Sequence, residues 1–125
     1  MHMDRPMFVF GSDRAGRHLE GAALEALRNR GAVYGQGAGP QGNSYAIPTR
    51  CEASRALPRD EIANGVMAFL DYTHTHPWLL FDVTPIGCDL AGHGPEEIAP
   101  MFAGAPHNVT LPRVFTEILA AQSSS

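Results

Sequence analysis

Two carboxylates are the groups in this 125-residue chain that are best placed for chemistry. Asp13 and Asp89 each lie in a glycine-containing loop, where an ionised carboxylate can accept hydrogen bonds from a sugar hydroxyl or orient a water molecule. An aspartate in a loop can equally form an Asx turn or cap a helix. Both residues are therefore candidate catalytic groups, with a purely structural role as the alternative.

The segment Gly31–Thr49 is unusually rich in glycine and reads GAVYGQGAGPQGNSYAIPT. Part of it matches the G-x-G-x-x-G pattern of dinucleotide-binding folds, but that pattern must follow a strand and open a helix. Here a predicted helix precedes it and a predicted strand follows it, so we reject that interpretation. The segment is either a plain surface loop or a backbone that approaches a bulky ligand closely. Its candidate ligand-binding residues are Gly37, Gly39, Gly42, Asn43 and Ser44.

A second glycine-rich loop, 87–94, resembles an anion-binding turn. Its glycines would let backbone amides converge on a phosphate, and a helix beginning at Pro95 would add its dipole. A plain strand-to-helix turn is the alternative, and Cys88 within it is either a nucleophile or an unreactive, buried thiol. The candidate ligand-binding residues here are Gly87, Cys88, Asp89, Leu90, Ala91 and Gly92. The loop after the first predicted strand adds Ser12, Asp13, Gly21 and Ala22.

The histidines do not form a convincing set of metal ligands. His74 and His76 are two residues apart at a predicted helix end, where their side chains would diverge. His18 and His93 both lie in candidate loops and are the pair that could meet at the site. We therefore predict no metal and no cofactor.

The composition is that of one soluble domain. Apolar residues make up 44% of the chain and charged residues 18%, which predicts a single domain over 1–125 with an ordered core at about 7–121. The net charge of −4 argues against a nucleic-acid-coating surface. All nine basic residues are arginine, so a lysine nucleophile or Schiff base is excluded. No apolar run is long enough to span a membrane, and we expect a cytoplasmic protein with both cysteines reduced.

Strands and helices are predicted to alternate, which is typical of an α/β fold. Strands are predicted at 7–10, 44–47, 78–84 and 109–111, and helices at 22–30, 58–76, 95–102 and 112–121. The almost continuously apolar strand 78–84 is expected to be central and covered on both faces. Gly31 lies where the C′ glycine of the first helix should be.

Four stretches taken together resemble the macrodomain superfamily. They are FVFGSDRAGRH from Phe8, GAALEA from Gly21, GAVYGQGAGPQGNSYAIPT from Gly31 and FDVTPIGCDLAGHGPEEIAPMF from Phe81. Their order is most similar to that in small macro-like proteins of phages and prophages. The resemblance implies a three-layer α/β/α sandwich with a mixed central sheet. It also implies a cleft that binds ADP-ribose or a related NAD-derived nucleotide.

The chain departs from the family pattern at two positions that bear on catalysis. Macrodomains carry an Asn that contacts the distal ribose where this chain has Asp13. The related glycohydrolases carry a catalytic Asp at the position of Ala91, whereas here the carboxylate is Asp89, in place of a glycine.

Three functional hypotheses follow from the resemblance. The first is a nucleotide-binding module in which 35–44 forms one wall of the cleft and 87–92 forms the other. The second is an ADP-ribosyl hydrolase that uses Asp13 or Asp89, with nucleic acid entering only as an ADP-ribosylated substrate. The third is a phage-associated interaction protein with a non-functional cleft.

Overall fold

A computed structural model of the protein describes residues 5–53, 55–88 and 92–123. Within these ranges the fold is mixed α/β, with five strands in one sheet and four helices. In chain order the elements are β1 Met7–Asp13, α1 Gly21–Asn29, β2 Gly39–Gln41, β3 Ser44–Arg50, α2 Arg59–Thr75, β4 Phe81–Val83, α3 Pro95–Ile98, a 3-10 turn Ala99–Phe102, β5 Val109–Thr110 and α4 Arg113–Ser123.

The sheet has the strand order β2-β3-β1-β4-β5. β1 pairs in parallel with β3 and β4, and β4 pairs in parallel with β5. Only β2 is antiparallel, against β3. The parallel strands therefore all end at one edge of the sheet, which we call the carboxyl edge.

Both faces of β1 are buried, in two separate apolar clusters. Val9 belongs to a large cluster that includes residues of α2, β4, the 3-10 turn and α4. Phe10, the next residue, belongs to a smaller cluster with Ala23 and Ala26 of α1. Successive side chains of a strand point to opposite faces, so the alternation in β1 divides the core between the two sides of the sheet.

Two strands are longer than the sequence predicts. β1 continues through Gly11 and Ser12 to Asp13, and β3 continues through Pro48 to Arg50. A proline is tolerated in a strand that lacks a neighbour on one side. This condition holds for β3, since β2 pairs with it only as far as Ala46.

The predicted strand 78–84 is mostly not a strand. Only Phe81–Val83 pairs in the sheet, between β1 and the edge strand β5, so the expected long central strand is wrong. Trp78 is 70% exposed and Leu80 is 47% exposed. Both residues lie in an exposed turn before β4, so their apolar side chains do not belong to a buried strand.

The helices lie close to their predicted positions. α1 ends at Asn29, and Gly31 follows with a φ of 79°, which confirms it as the C′ glycine. The predicted helix 95–102 is α3, of four residues, followed by a 3-10 turn. In the part of the chain that the structure describes, no helix is both long enough and apolar enough to cross a membrane.

Candidate functional site

A cleft of about 260 Å³ opens at the carboxyl edge of the sheet. The ends of β1 and β3, the turn after β4 and the first residues of α1 meet around it. Its lining residues are Gly11, Glu20, Gly21, Ala22, Thr49, Arg50, Thr84, Pro85, Ile86 and Gly87. Ligands of open α/β sheets bind in such crevices outside the carboxyl ends of the strands. The cleft is therefore the candidate site.

Arg50 provides the positive charge of the cleft. Its side chain is only 8% exposed, and its Nη1 lies 3.7 Å from Oε1 of Glu20, whose side chain is 63% exposed. Among the described residues the Arg50 guanidinium donates no hydrogen bond within 3.5 Å. A largely buried guanidinium with unused donors is a strong recognition group for carboxylates and phosphates.

The start of α1 lies in the same cleft and has no side-chain cap. Glu20 is the N-cap residue, but its side chain accepts no capping hydrogen bond, and the first turn contains no acidic residue. The first amides of a helix have no partner within the helix and attract negative charge. Two of the residues proposed from sequence, Gly21 and Ala22, are thus placed beside Arg50.

The turn after β4 brings Gly87 into the cleft and begins a closed loop. Gly87 has a φ of 75°, in the left-handed region that favours glycine. The His93 amide donates to the Gly87 carbonyl at 2.8 Å, so the two ends of the loop are held together. Cys88 packs against the core, and its thiol donates to the Ile86 carbonyl at 3.4 Å. Three of the proposed residues, Asp89, Leu90 and Ala91, lie outside the described residues.

The helix after this loop does not provide the expected anion site. α3 has only four residues, so it has little dipole to add. Its N-terminus is also occupied, because the Gly94 amide donates to Oε1 of Glu97 at 3.2 Å. That hydrogen bond, together with one from His93, lowers the pKa of Glu97. The carboxylate therefore takes the place that a phosphate was expected to fill.

Asp13 lies at the end of β1 but faces its own turn. Its side chain is 5% exposed and lies 3.5 Å from Nε of Arg17, whose amide also donates to it at 3.4 Å. Asp13 does not line the cleft. In this arrangement the carboxylate stabilises the turn 13–17, the structural alternative that its loop position left open.

The first half of the glycine segment packs against that turn. The Ser12 hydroxyl donates to the Gly37 carbonyl at 2.5 Å. A Cβ on Gly37 would lie 2.5 Å from the carbonyl oxygens of Asp13 and Arg14, so the two backbones are in close contact. Gly39 follows in β2, paired with Ala46. The glycine at position 37 thus serves backbone packing within the protein.

The second half of the segment lies at the opposite end of the sheet. β2 runs antiparallel to β3, and the turn at Gly42 and Asn43 carries the chain to Ser44, which pairs with Phe8 near the start of β1. Asn43 is held there, since its amide donates to the Arg30 carbonyl. None of the residues 35–44 is among those that line the cleft, although Gly35 and Gly37 lie against the turn that follows β1. The opposing wall consists of the start of α1 and the end of β3.

Gln41 fixes the glycine segment and was not predicted from sequence. It is 4% exposed, and its Oε1 accepts the Val33 amide at 2.8 Å and pairs with Nε2 of His18 at 3.2 Å. Its Nε2 donates to the carbonyls of Gln36 and Gly39. Three of these four contacts lie within the segment, and the fourth ties it to His18, in the loop between β1 and α1.

The two histidines that could have met at the site have separate partners. His18 is buried, with its ring at 5.2 Å from that of Phe10. Nε2 of His93 donates to the Leu57 carbonyl, and its Nδ1 lies 3.3 Å from Glu97. Over the described ranges, no group of three or more His, Cys, Asp or Glu side chains is arranged to hold a metal ion.

The cleft also contains residues that sequence reasoning missed. Thr49 and Arg50 lie beyond Pro48, where the strand was predicted to stop, and neither was expected to belong to it. The Thr49 hydroxyl donates to the Ser12 carbonyl at 3.4 Å, joining β3 to β1 beneath the cleft. Had β3 been predicted to continue past Pro48, the polar residues at its carboxyl end would have indicated a place in the cleft.

Comparisons of the chain with protein-family models, with curated proteins and with solved structures gave no match. The geometry of the cleft and the resemblance of the motifs are therefore the features that bear on function.

Proposed function

We propose that the protein binds ADP-ribose or a related NAD-derived nucleotide in the carboxyl-edge cleft. The observation that carries this proposal is the cleft itself, in which a largely buried Arg50, the uncapped start of α1 and the left-handed Gly87 come together. All three features favour a phosphorylated ligand. The resemblance to macrodomains, which bind such nucleotides at this edge of the sheet, supports the same conclusion.

The arrangement of the apolar clusters around the sheet also supports the proposal. Apolar clusters on both sides of β1 fit the three-layer α/β/α sandwich that the resemblance implies. The cleft, at about 260 Å³, is slightly smaller than typical ligand sites of about 300–1,000 Å³. It would hold the diphosphate and one ribose, with the rest of the nucleotide lying along the adjoining surface.

The position of Asp13 argues against this carboxylate as the base of a hydrolase, and Asp89, the other candidate, lies outside the described residues. A general base must reach the proton that it removes, directly or through one water. Asp13 is buried, paired with Arg17 and absent from the cleft lining. We therefore propose a binding module, and release of ADP-ribose from a modified protein by the wild type would contradict this choice.

Calorimetry with ADP-ribose tests the proposal, with Ala22→Glu as the cleft variant. A glutamate in the first turn of α1 favours the helix, so the variant should fold, but its charge would repel a phosphate in the cleft. Ala103→Glu, at an exposed position away from the cleft, makes the same charge change.

We expect the wild type and Ala103→Glu to bind ADP-ribose with equal affinity, and Ala22→Glu to bind at least about tenfold more weakly. No heat and no thermal shift with the wild type at millimolar ADP-ribose would refute the function. Equal binding by all three proteins would show that the ligand lies elsewhere.

A further inference from the structure

The ion pair between Glu20 and Arg50 has a geometry that a simple structural salt bridge does not need. The two charged groups are 3.7 Å apart, too far for a good hydrogen bond, and Glu20 is largely exposed. Such a pair contributes little to stability, because water and salt screen it. Arg50, in contrast, is buried and has no other acidic partner among the described residues.

We propose that Glu20 is a built-in competitor for Arg50, and that a phosphate group of the ligand replaces its carboxylate. Arg50 is then the residue that selects an anionic ligand, and Glu20 sets the affinity that the anion must exceed. This inference rests on the proposed function for the identity of the nucleotide, but the anion subsite itself is independent of it.

The chemistry of the two acceptors, carboxylate and phosphate, explains why a phosphate would displace Glu20 from Arg50. The Glu20 carboxylate meets one nitrogen of Arg50 at long range. A phosphate oxygen pair can accept two parallel hydrogen bonds from the guanidinium fork. It would also accept hydrogen bonds from the backbone amides at the start of α1, which no side chain caps in the structure. The anion thus gains several charge-assisted hydrogen bonds for one weak ion pair that is lost.

The side chain of Glu20 can move away from Arg50 at a small cost in free energy. Glu20 lies just before α1, with 63% of its side chain exposed, so it can turn into solvent without disturbing the core. Arg50 cannot leave, because it is held at the end of β3, which pairs with β1. The fixed cation and the movable carboxylate are what an exchange of partners requires.

The test compares Glu20→Gln, at the N-cap of α1, with Glu25→Gln, within α1, two variants with the same charge change. Glu25 is exposed on α1 and does not line the cleft. Removing the competitor should tighten ADP-ribose binding by about two- to fivefold in Glu20→Gln, the factor that corresponds to a weak exposed ion pair. Glu25→Gln should bind as the wild type does.

Arg50→Lys provides the reciprocal variant. It keeps the charge but loses the fork, so ADP-ribose affinity should fall by about tenfold while the melting temperature shows that the variant is folded. If Arg50→Lys does not fold, the two glutamate variants decide alone. A structural role for Glu20 would lower stability without tightening the binding of any anion.

Inorganic pyrophosphate separates the two proposals. If the wild type binds ADP-ribose but Glu20→Gln and Glu25→Gln bind it equally, the competitor model is overturned and the proposed function remains. If no protein binds ADP-ribose, the proposed function fails, and a larger thermal shift of Glu20→Gln than of Glu25→Gln with pyrophosphate still supports the anion subsite. Equal shifts of the two variants with pyrophosphate would overturn the subsite.

Discussion

Replacing Gln41 by leucine tests whether the glycine segment is a built part of the fold. Leucine has a similar volume but makes no hydrogen bonds. The change removes the acceptor of the Val33 amide and of Nε2 of His18, and the donor to two backbone carbonyls. If the segment were a flexible surface loop, water would replace these hydrogen bonds.

The expected cost follows from the burial of the groups left behind. The His18 ring is buried and its Nδ1 already has no hydrogen-bond partner in the described structure, so the ring would lose its last one. An unsatisfied buried group costs about 1–3 kcal/mol, and the three part-buried backbone groups regain water and cost less. We expect the free energy of unfolding to fall by about 3 kcal/mol, equivalent to a decrease in Tm of about 10 °C.

Gln36→Leu is the matched control. Gln36 lies five positions earlier in the same segment and also donates to two backbone carbonyls, of Ala38 and Pro40, but these bonds are exposed. Its loss should change the free energy of unfolding by no more than about 0.5 kcal/mol. Urea unfolding followed by circular dichroism measures both values.

Hydrogen exchange at the Val33 amide adds a local measurement. The amide should exchange faster in Gln41→Leu and at the wild-type rate in Gln36→Leu. Equal stability of the two variants, within about 0.5 kcal/mol, together with unchanged protection of Val33 would refute the role assigned to Gln41.

Two further predictions concern the core. Phe69 is fully buried and contacts three other aromatic rings, so Phe69→Ala should destabilise the protein by about 4 kcal/mol in urea unfolding. Met67→Ala, at a position that is 63% exposed, should change stability by less than about 0.5 kcal/mol, and similar losses in both would place Phe69 outside the core. Burial, and after it the nearby Tyr72 and Asp71, raise the pKa of Tyr45 above its ordinary value of 10.0. As the pH rises, the unfolded chain therefore loses the Tyr45 proton before the folded state does. Stability should therefore fall as the pH rises above about 10, by at most about 1.4 kcal/mol per pH unit, and Tyr45→Phe should flatten this slope while Tyr34→Phe, at an exposed position, should not. A slope that is the same in all three proteins would contradict the assignment.

The local elements were largely predictable because their signals are local. The helix ending before Gly31 and the helix after Pro58 are encoded by periodicity, by a C′ glycine and by a proline followed by acidic residues. The α/β class follows from their alternation with apolar runs. The ends of the strands were not predictable, because pairing with a neighbour decides them, as in the continuation of β3 beyond Pro48.

The candidate site was only partly predictable, for the same reason. Gly21, Ala22 and Gly87 were proposed from sequence and do lie together in the cleft. Arg50 was not proposed, because its place in the cleft depends on the extension of β3. Asp13 was proposed, but its local contact with Arg17, four residues later, holds it in the turn 13–17, which is the structural alternative for a loop aspartate.

The sequence by itself determined the α/β class, the positions of the helices and the presence of two glycine-rich segments. Only the tertiary structure decided what those segments do. The antiparallel pairing of β2 with β3 sends Gly42 and Asn43 away from the carboxyl edge, while the parallel pairing of β1 with β3 brings Arg50 to it. The direction of a strand is a property of its partners, which lie far away along the chain, and so no local pattern of residues can encode it.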